Sequence, residues 1–332
     1  MSTRRDFLNI AKPRPTAGGY WLHVNRTAMA CRFEVTLPVW ERSGVEVAQR
    51  ALDEIDRLEE RLSIFRESSE VSFINCHAAE RNISVERSLF SLLQQCLQLH
   101  TETEGAFDIT SAPLSHCWGF VRREGRIPSP DEIEKALSVV GSHKLSLDVE
   151  SRSIRFERDG IEINLGSIGK GYALDCIAET MRSRVQTALL SGGSSSILAI
   201  GSGDRGHRGW TIGIRHPKDK TKRLGILKLR DCAMSTSGSD EQFFEHDGVR
   251  YGHIIDPRSG VPASQVSGVT AVAQSAAIAD ALATAFYVGG PDLAERYCAS
   301  HTDTLVVMLL TDADQAIVFG SSKWCDLELI NE

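Results

Sequence analysis

The chain lacks any run of about 18 apolar residues, which excludes a membrane-spanning helix. It lacks a cysteine near its start that could take a lipid. Ser2-Thr-Arg-Arg-Asp-Phe-Leu8 has the look of a twin-arginine export signal, but the apolar stretch such a signal needs is missing. Asn9-Ile-Ala-Lys-Pro-Arg-Pro15 brings proline and charge instead. Residues 1–19 are therefore expected as a disordered tail, and the protein is expected in the cytoplasm. None of the 8 cysteines is arranged as CxxC, and their even scatter reads as reduced thiols, not as a zinc site or a disulfide framework. The segment Gly166–Gly171 fits neither GxGxxG nor GxxxxGK[ST], so it carries no nucleotide fingerprint by itself. Positive charge is not in excess. The formal net charge of -7 argues against nucleic acid as the main partner.

What is present is an ordinary globular composition: 332 residues, 42% hydrophobic and 24% charged. Val45–Leu62 repeats apolar residues at helical spacing, with Val47, Ala51, Ile55, Leu58 and Leu62 on one face. Further helices are expected over 85–103, 130–140, 172–184 and 277–288. Strand-like runs occur at 32–37, 144–147, 153–156, 161–164, 187–190, 196–200, 210–214, 305–310 and 315–319. Residues 105–120 read as a loop with scattered aromatics. Helices and strands do not alternate strictly, and hairpin signals are frequent. The expected class is α+β, with mixed, largely antiparallel sheets packed against long helices. No linker or internal repeat divides the chain. One domain, divisible into two lobes, is expected over 20–325, with a C-terminal tail over 326–332.

Several polar segments break the apolar pattern. Asp280 and Thr284 stand four residues apart in a run of strong helix formers, so their oxygens share one face. A carboxylate and a hydroxyl on an apolar helix make poor core and good ligands for a hard cation such as Mg²⁺. Gly166-Ser-Ile-Gly-Lys-Gly171 follows a strand and opens a helix. Its backbone amides and Lys170 suit an anion, although a tight strand-to-helix turn explains the glycines equally. Ser191-Gly-Gly-Ser194 and Met234-Ser-Thr-Ser-Gly238 offer further amides and hydroxyls. His253-Ile-Ile-Asp256-Pro-Arg-Ser-Gly260 pairs an acid/base candidate with a forced turn. Together these features suggest chemistry on a phosphate ester or anhydride.

Taken in order, the segments resemble the ApbE family, the FAD:protein FMN transferases. The match is carried by Met29-Ala-Cys-Arg-Phe33, Leu62-Ser-Ile-Phe-Arg66, Gly105-Ala-Phe-Asp-Ile-Thr110, Asn164-Leu-Gly-Ser-Ile-Gly-Lys-Gly-Tyr-Ala173, Ser191-Gly-Gly193, Ser235-Thr-Ser-Gly238, His253–Gly260 and Ala279-Asp-Ala-Leu-Ala-Thr-Ala285. The resemblance implies an ApbE-like, T-fold-like architecture. It also implies a Mg²⁺-dependent enzyme that moves FMN from its substrate FAD onto a Ser or Thr hydroxyl of an acceptor protein and releases AMP. By similarity, Asp280, Thr284 and the Ser167 carbonyl would hold Mg²⁺. Met29, Phe65, Ala106, Phe107 and Asp108 would line the FAD site, and Asn164 and Lys170 would sit on the nucleotide. His253 would lie near the pyrophosphate; His253 or Asp256 is the catalytic base candidate. Asn164 and Ser194 stand where the family often has aspartate, and Ala30-Cys31 where it often has Gly-Thr. Two other readings share these residues: a Mg²⁺-dependent FAD pyrophosphatase and a non-catalytic FAD-binding protein.

Overall fold

The computed structural model describes residues 15–16, 19–203, 209–238 and 242–330. Almost all of the expected tail over 1–19 lies outside them. The fold is α+β, as the patterning indicates. Its centre is a sheet whose strands among the described residues are β1 (Pro15–Thr16), β2 (Gly19–Ala28), β3 (Cys31–Pro38), β4 (Ala188–Gly192), β5 (Ser196–Ile200), β6 (Ala233–Gly238), β7 (Val266–Ala273), β8 (Leu305–Leu310) and β9 (Ile317–Gly320). They lie side by side in chain order, and each pair is antiparallel. Antiparallel neighbours need no crossover helix. The helices are therefore free to enter as long insertions between β3 and β4 and between β7 and β8.

The helices are α1 (Val45–Leu62), α2 (Glu70–His77), α3 (Arg87–Glu102), α4 (Ala112–Cys117), α5 (Pro130–Leu137), α6 (Gly169–Arg182) and α7 (Ala276–Ser300). One face of the sheet is covered by α6 and α7, with α1 beside them. The opposite face is covered by a three-stranded layer of Trp210–Arg215, Arg223–Leu229 and Cys325–Leu329. Covered on both sides, every residue of β7 is buried, which is why its sequence does not alternate. Strand alternation sorts β6 between the two layers: Met234 packs toward the three-stranded layer, and Ser235 points at α7.

α7 begins with Ser275 as its cap, whose hydroxyl accepts from the Ile278 N–H. Half-buried Asp175 of α6 clamps the same end. It accepts from the Ala276 and Ala277 N–H groups at 2.8 and 2.9 Å and from the Ser275 hydroxyl at 2.7 Å. Burial pushes its carboxyl pKa up, opposed by these bonds. The two helices cross at Gly171, where an added Cβ would fall 2.1 Å from the Ala276 carbonyl oxygen.

Several expectations need correction. Residues 161–164 do not form a strand; the Asn75 side chain takes the place of a neighbouring strand, bonding the Ile163 N–H and carbonyl at 2.8 and 3.0 Å. The loop over 105–120 contains α4. The last helix does not stop at 288. It kinks at Gly290 (φ 68°), and Pro291 opens a second segment that runs to Ser300. Helix α2 carried no clear apolar period and was not anticipated. Residues 326–329 of the expected C-terminal tail belong to the strand Cys325–Leu329, which pairs with Arg223–Leu229.

Candidate active site

The segment 164–171 turns beneath the N-terminus of α6 and brings two cavities together. The first, about 270 Å³, is walled by Ala106, Asp108, Asn164, Ser167, Lys170, His253, Asp280 and Thr284 among others. The second, about 360 Å³, lies toward the β2–β3 turn and α1 and is walled by Met29, Phe65 and Arg66. Asn164, Gly166 and Lys170 line both. Residues scattered over more than 250 positions thus converge on one bipartite site.

Asp280 is the floor of the first cavity, and only 4% of it is exposed. One carboxylate oxygen accepts from the Ser235 and Ser196 hydroxyls at 2.9 and 3.2 Å. The other accepts from the Gly171 N–H at 3.1 Å and faces Lys170 Nζ at 3.6 Å. A buried carboxylate requires such partners. One turn along α7, the Thr284 hydroxyl lies 3.5 Å from that of Ser237. The donor set is therefore one carboxylate among hydroxyls, all oxygen, with the Ser167 segment on the same wall. That chemistry fits a hard cation such as Mg²⁺, which Asp280, Thr284 and the Ser167 segment would hold. Among the described residues no cluster of three or more His, Cys, Asp or Glu exists, so the site does not offer a soft-metal cage.

His253 stands across the cavity. Its Nδ1 lies 3.1 Å from the Gln242 carbonyl, which can only accept, so the proton is on Nδ1. In the neutral ring Nε2 is then the basic nitrogen. Asp256 is not placed for catalysis. Its carboxylate holds Arg258 through two bonds of 2.8 and 2.9 Å and caps the backbone of the Pro257–Gly260 turn. Its neighbours Ile255 and Pro257 line the cavity and it does not.

Asp108 touches the cavity, yet its oxygens are consumed within the protein. They accept from Thr110, Ser142 and His100 at 2.6–3.2 Å. Burial pushes its carboxyl up, but the bonds from His100 and Thr110 outweigh that and hold it below its usual range. It is a strut under the wall. Phe107 is packed in the main core and does not line either cavity; its carbonyl accepts from His100.

The second cavity is built differently. Met29 and Ala30 form the two-residue turn between β2 and β3, both at positive φ (49° and 57°). That geometry matches the twist of a hairpin but disfavours non-glycine residues. Glu59 of α1 holds the turn by accepting from the Met29 N–H at 2.9 Å. Phe65 stands beside it with its side chain largely in solvent, 79% exposed. An exposed aromatic beside a constrained Met is a surface for a flat ring.

Ser196 and Asp175 carried no expected role, and Ser235 only that of one hydroxyl in Met234–Gly238. The signal for the two serines was their place in hydroxyl-rich runs, and they face each other directly across β5 and β6. Asp175 gave no such signal.

Comparison with known proteins places this geometry. The model of the ApbE family matches residues 29–309. The chain is 31% identical to the FAD:protein FMN transferase of Treponema pallidum, over 78% of this chain and 75% of the relative. It is 29% identical to the protein of that name from Vibrio cholerae, over 82% and 83%. It is similar to the crystal structure of the ApbE protein of Thermotoga maritima, with a TM-score of 0.81 at 29% identity, covering 91% of this chain and 97% of that one. It is also similar to the flavin transferase ApbE from Vibrio cholerae, with a TM-score of 0.77 at 25% identity, covering 92% and 98%.

Proposed function

The chain belongs to the ApbE family, and from that premise we propose that it transfers FMN from FAD to a Ser or Thr hydroxyl of an acceptor protein in a Mg²⁺-dependent reaction. One observation carries the reading: Asp280, Thr284, Lys170, Asn164, Ser167 and His253 meet in one cavity that opens into the Met29–Phe65 cavity. FAD has two such halves, an anionic pyrophosphate and a flat flavin. The pyrophosphate would lie over Lys170 and the amides of 166–171, and the flavin against Phe65 and Met29.

In this reading the acceptor hydroxyl oxygen attacks the FMN phosphorus. A new P–O ester bond forms, the P–O bond to the bridging oxygen breaks, and AMP leaves with that oxygen. The hydroxyl proton goes to His253 Nε2, the basic nitrogen left by the Nδ1 bond to Gln242. Lys170 balances charge on the phosphates. Bound Mg²⁺, held by Asp280, Thr284 and the Ser167 carbonyl, would neutralise charge developing on the pyrophosphate. Asn164 bonds the Gly166 N–H at 2.8 Å and so sets the shape of the turn that meets the nucleotide. The protein would work inside the cell, a reading supported by the scatter of its cysteines along the sequence.

The test incubates the protein with FAD and Mg²⁺, alone and with a candidate acceptor, and follows AMP, FMN and denaturation-resistant flavin fluorescence on the acceptor. Covalent flavin on the acceptor supports transfer. AMP and FMN released at the same rate with and without acceptor, with no flavin on protein, would replace it by the hydrolase reading. Intact FAD under all conditions would leave a flavin-binding protein.

A further inference from the structure

A large groove lies outside the proposed FAD site. It has a volume of about 1110 Å³ and is walled by one end of the three-stranded layer and by the turn at 314–316. Its charge opposes that of the chain as a whole. Arg215, Lys218, Lys220, Lys222 and Arg223 line it, against the carboxylates of Asp219 and Asp314. Lys218 is occupied, donating to the Thr311 and Ala313 carbonyls at 2.7 and 2.8 Å, and so ties the hairpin tip to the neighbouring turn. Arg215, Lys220, Lys222 and Arg223 form no salt bridge or side-chain hydrogen bond among the described residues. A protein of net charge -7 that gathers five cations against two carboxylates round one groove concentrates positive charge there.

The groove is connected to the reaction site. Gly213, Arg215 and Leu224 also line a slot of about 170 Å³ between Trp210–Arg215 and the central sheet. At its far end the slot shares Ser195, Thr236, Ser237 and Gly238 with the cavity over Asp280. Groove and slot thus share wall residues, as do slot and cavity, so the three adjoin in series along β6. Trp210–Arg215 is the edge strand of its layer, bonded only to Arg223–Leu229 among the described residues. An edge strand presents unpaired N–H and carbonyl groups that an extended chain can pair with.

We propose that this groove docks an acidic, extended segment of the acceptor polypeptide and feeds its hydroxyl residue through the slot to the reaction cavity. The inference rests on the transferase reading. Free phosphates and anionic lipid would also feel the cations, but neither uses a strand edge or needs a path to the cavity.

Two measurements test it, the first independent of catalysis. Fluorescein-labelled decaglutamate is titrated with the full-length protein at low and at moderate salt, and anisotropy is read. The wild type should bind, weaken at least tenfold on adding salt, and be at least tenfold tighter than the variant carrying Arg215→Gln, Lys220→Gln, Lys222→Gln and Arg223→Gln. The single Lys222→Glu variant, at an exposed hairpin tip, provides a second case should the quadruple change disturb folding. Quenching of FAD fluorescence should be the same in all three proteins. Equal peptide binding by wild type and variants overturns the proposal. So does binding of phosphatidylglycerol vesicles in preference to the peptide.

The second measurement gives the protein FAD, Mg²⁺ and peptides with one Thr flanked by Glu or by Lys, and reads FMN addition by mass. The Glu-flanked peptide should be modified at least tenfold faster, and the variants should lose that preference. Equal rates overturn the docking proposal while leaving the transferase reading intact. If no acceptor is modified although decaglutamate binding still depends on the four cations, it is the transferase reading that fails, and the acceptor role of the groove fails with it.

Discussion

Asp280 and Phe65 stand in two adjoining cavities and share almost nothing in their surroundings. Asp280 sits on a helix, buried, with hydrogen bonds from two strands and another helix. Phe65 sits on a loop after α1, largely in solvent. Between them, Asn164 and Lys170 belong to both halves. The difference follows the demands of the ligand. Charge that develops on a pyrophosphate has to meet groups already fixed in place, since reorganising them during reaction costs part of the barrier. A flat ring asks only for apolar area, which an exposed aromatic supplies at low cost. The rigid end is thus expected to control turnover and the exposed end to control affinity.

The strongest way to break that comparison is Asp280→Ala. Loss of metal-dependent turnover on the order of 10³-fold is expected, read as AMP release, with FAD binding retained through the other cavity. Retained turnover would mean that Asp280 is only a strut. Next is His253→Gln, which keeps a polar side chain but removes the base. Transfer should fall on the order of 10²-fold, with KM for FAD little changed. A rise in KM at constant kcat would instead put His253 among the binding groups. Phe65→Ala should do the opposite of both. KM for FAD should rise roughly fivefold, about 1 kcal/mol, at nearly constant kcat. A loss of kcat there would erase the distinction between the two ends.

The smallest expected effect concerns the wall beneath the rigid end. His100 is raised above its ordinary 6.5 by its bond to Asp108, against the pull of burial. Asp108 is held below its ordinary 3.8 against burial, chiefly by His100 and Thr110. Stability from protonated His100 is fully present below pH 6.5 and is lost as pH rises through its raised pKa. Stability from ionised Asp108 is present above pH 3.8 and is lost as pH falls through its lowered pKa. The pair should therefore contribute most between about pH 4 and 6.5. Thermal melts from pH 6 to 8 should show a small decline in Tm that His100→Gln abolishes. An identical pH profile in the variant would show that the pair does not stabilise the wall.

Much of this protein was legible in its residues. The amphipathic period of α1 survives as the buried face Val47, Ala48, Ala51, Leu52, Ile55, Leu58 and Leu62. The four-residue spacing of Asp280 and Thr284 survives because helix geometry is local. So does the glycine turn before α6. These features are set by contacts within a few residues, so the sequence by itself determined them, together with the α+β class and the family. What failed did so for non-local reasons. Residues 161–164 have a strand's alternation but pair with the Asn75 side chain, far away in the chain. Ser196 and Ser235 became supports for Asp280 only when β5 and β6 paired across 39 positions. Which polar groups face the cavity, which are consumed as struts, and which distant surface joins the site were decided by the tertiary structure. Those outcomes depend on desolvation and on partners that only the packed sheet and helices bring within bonding distance.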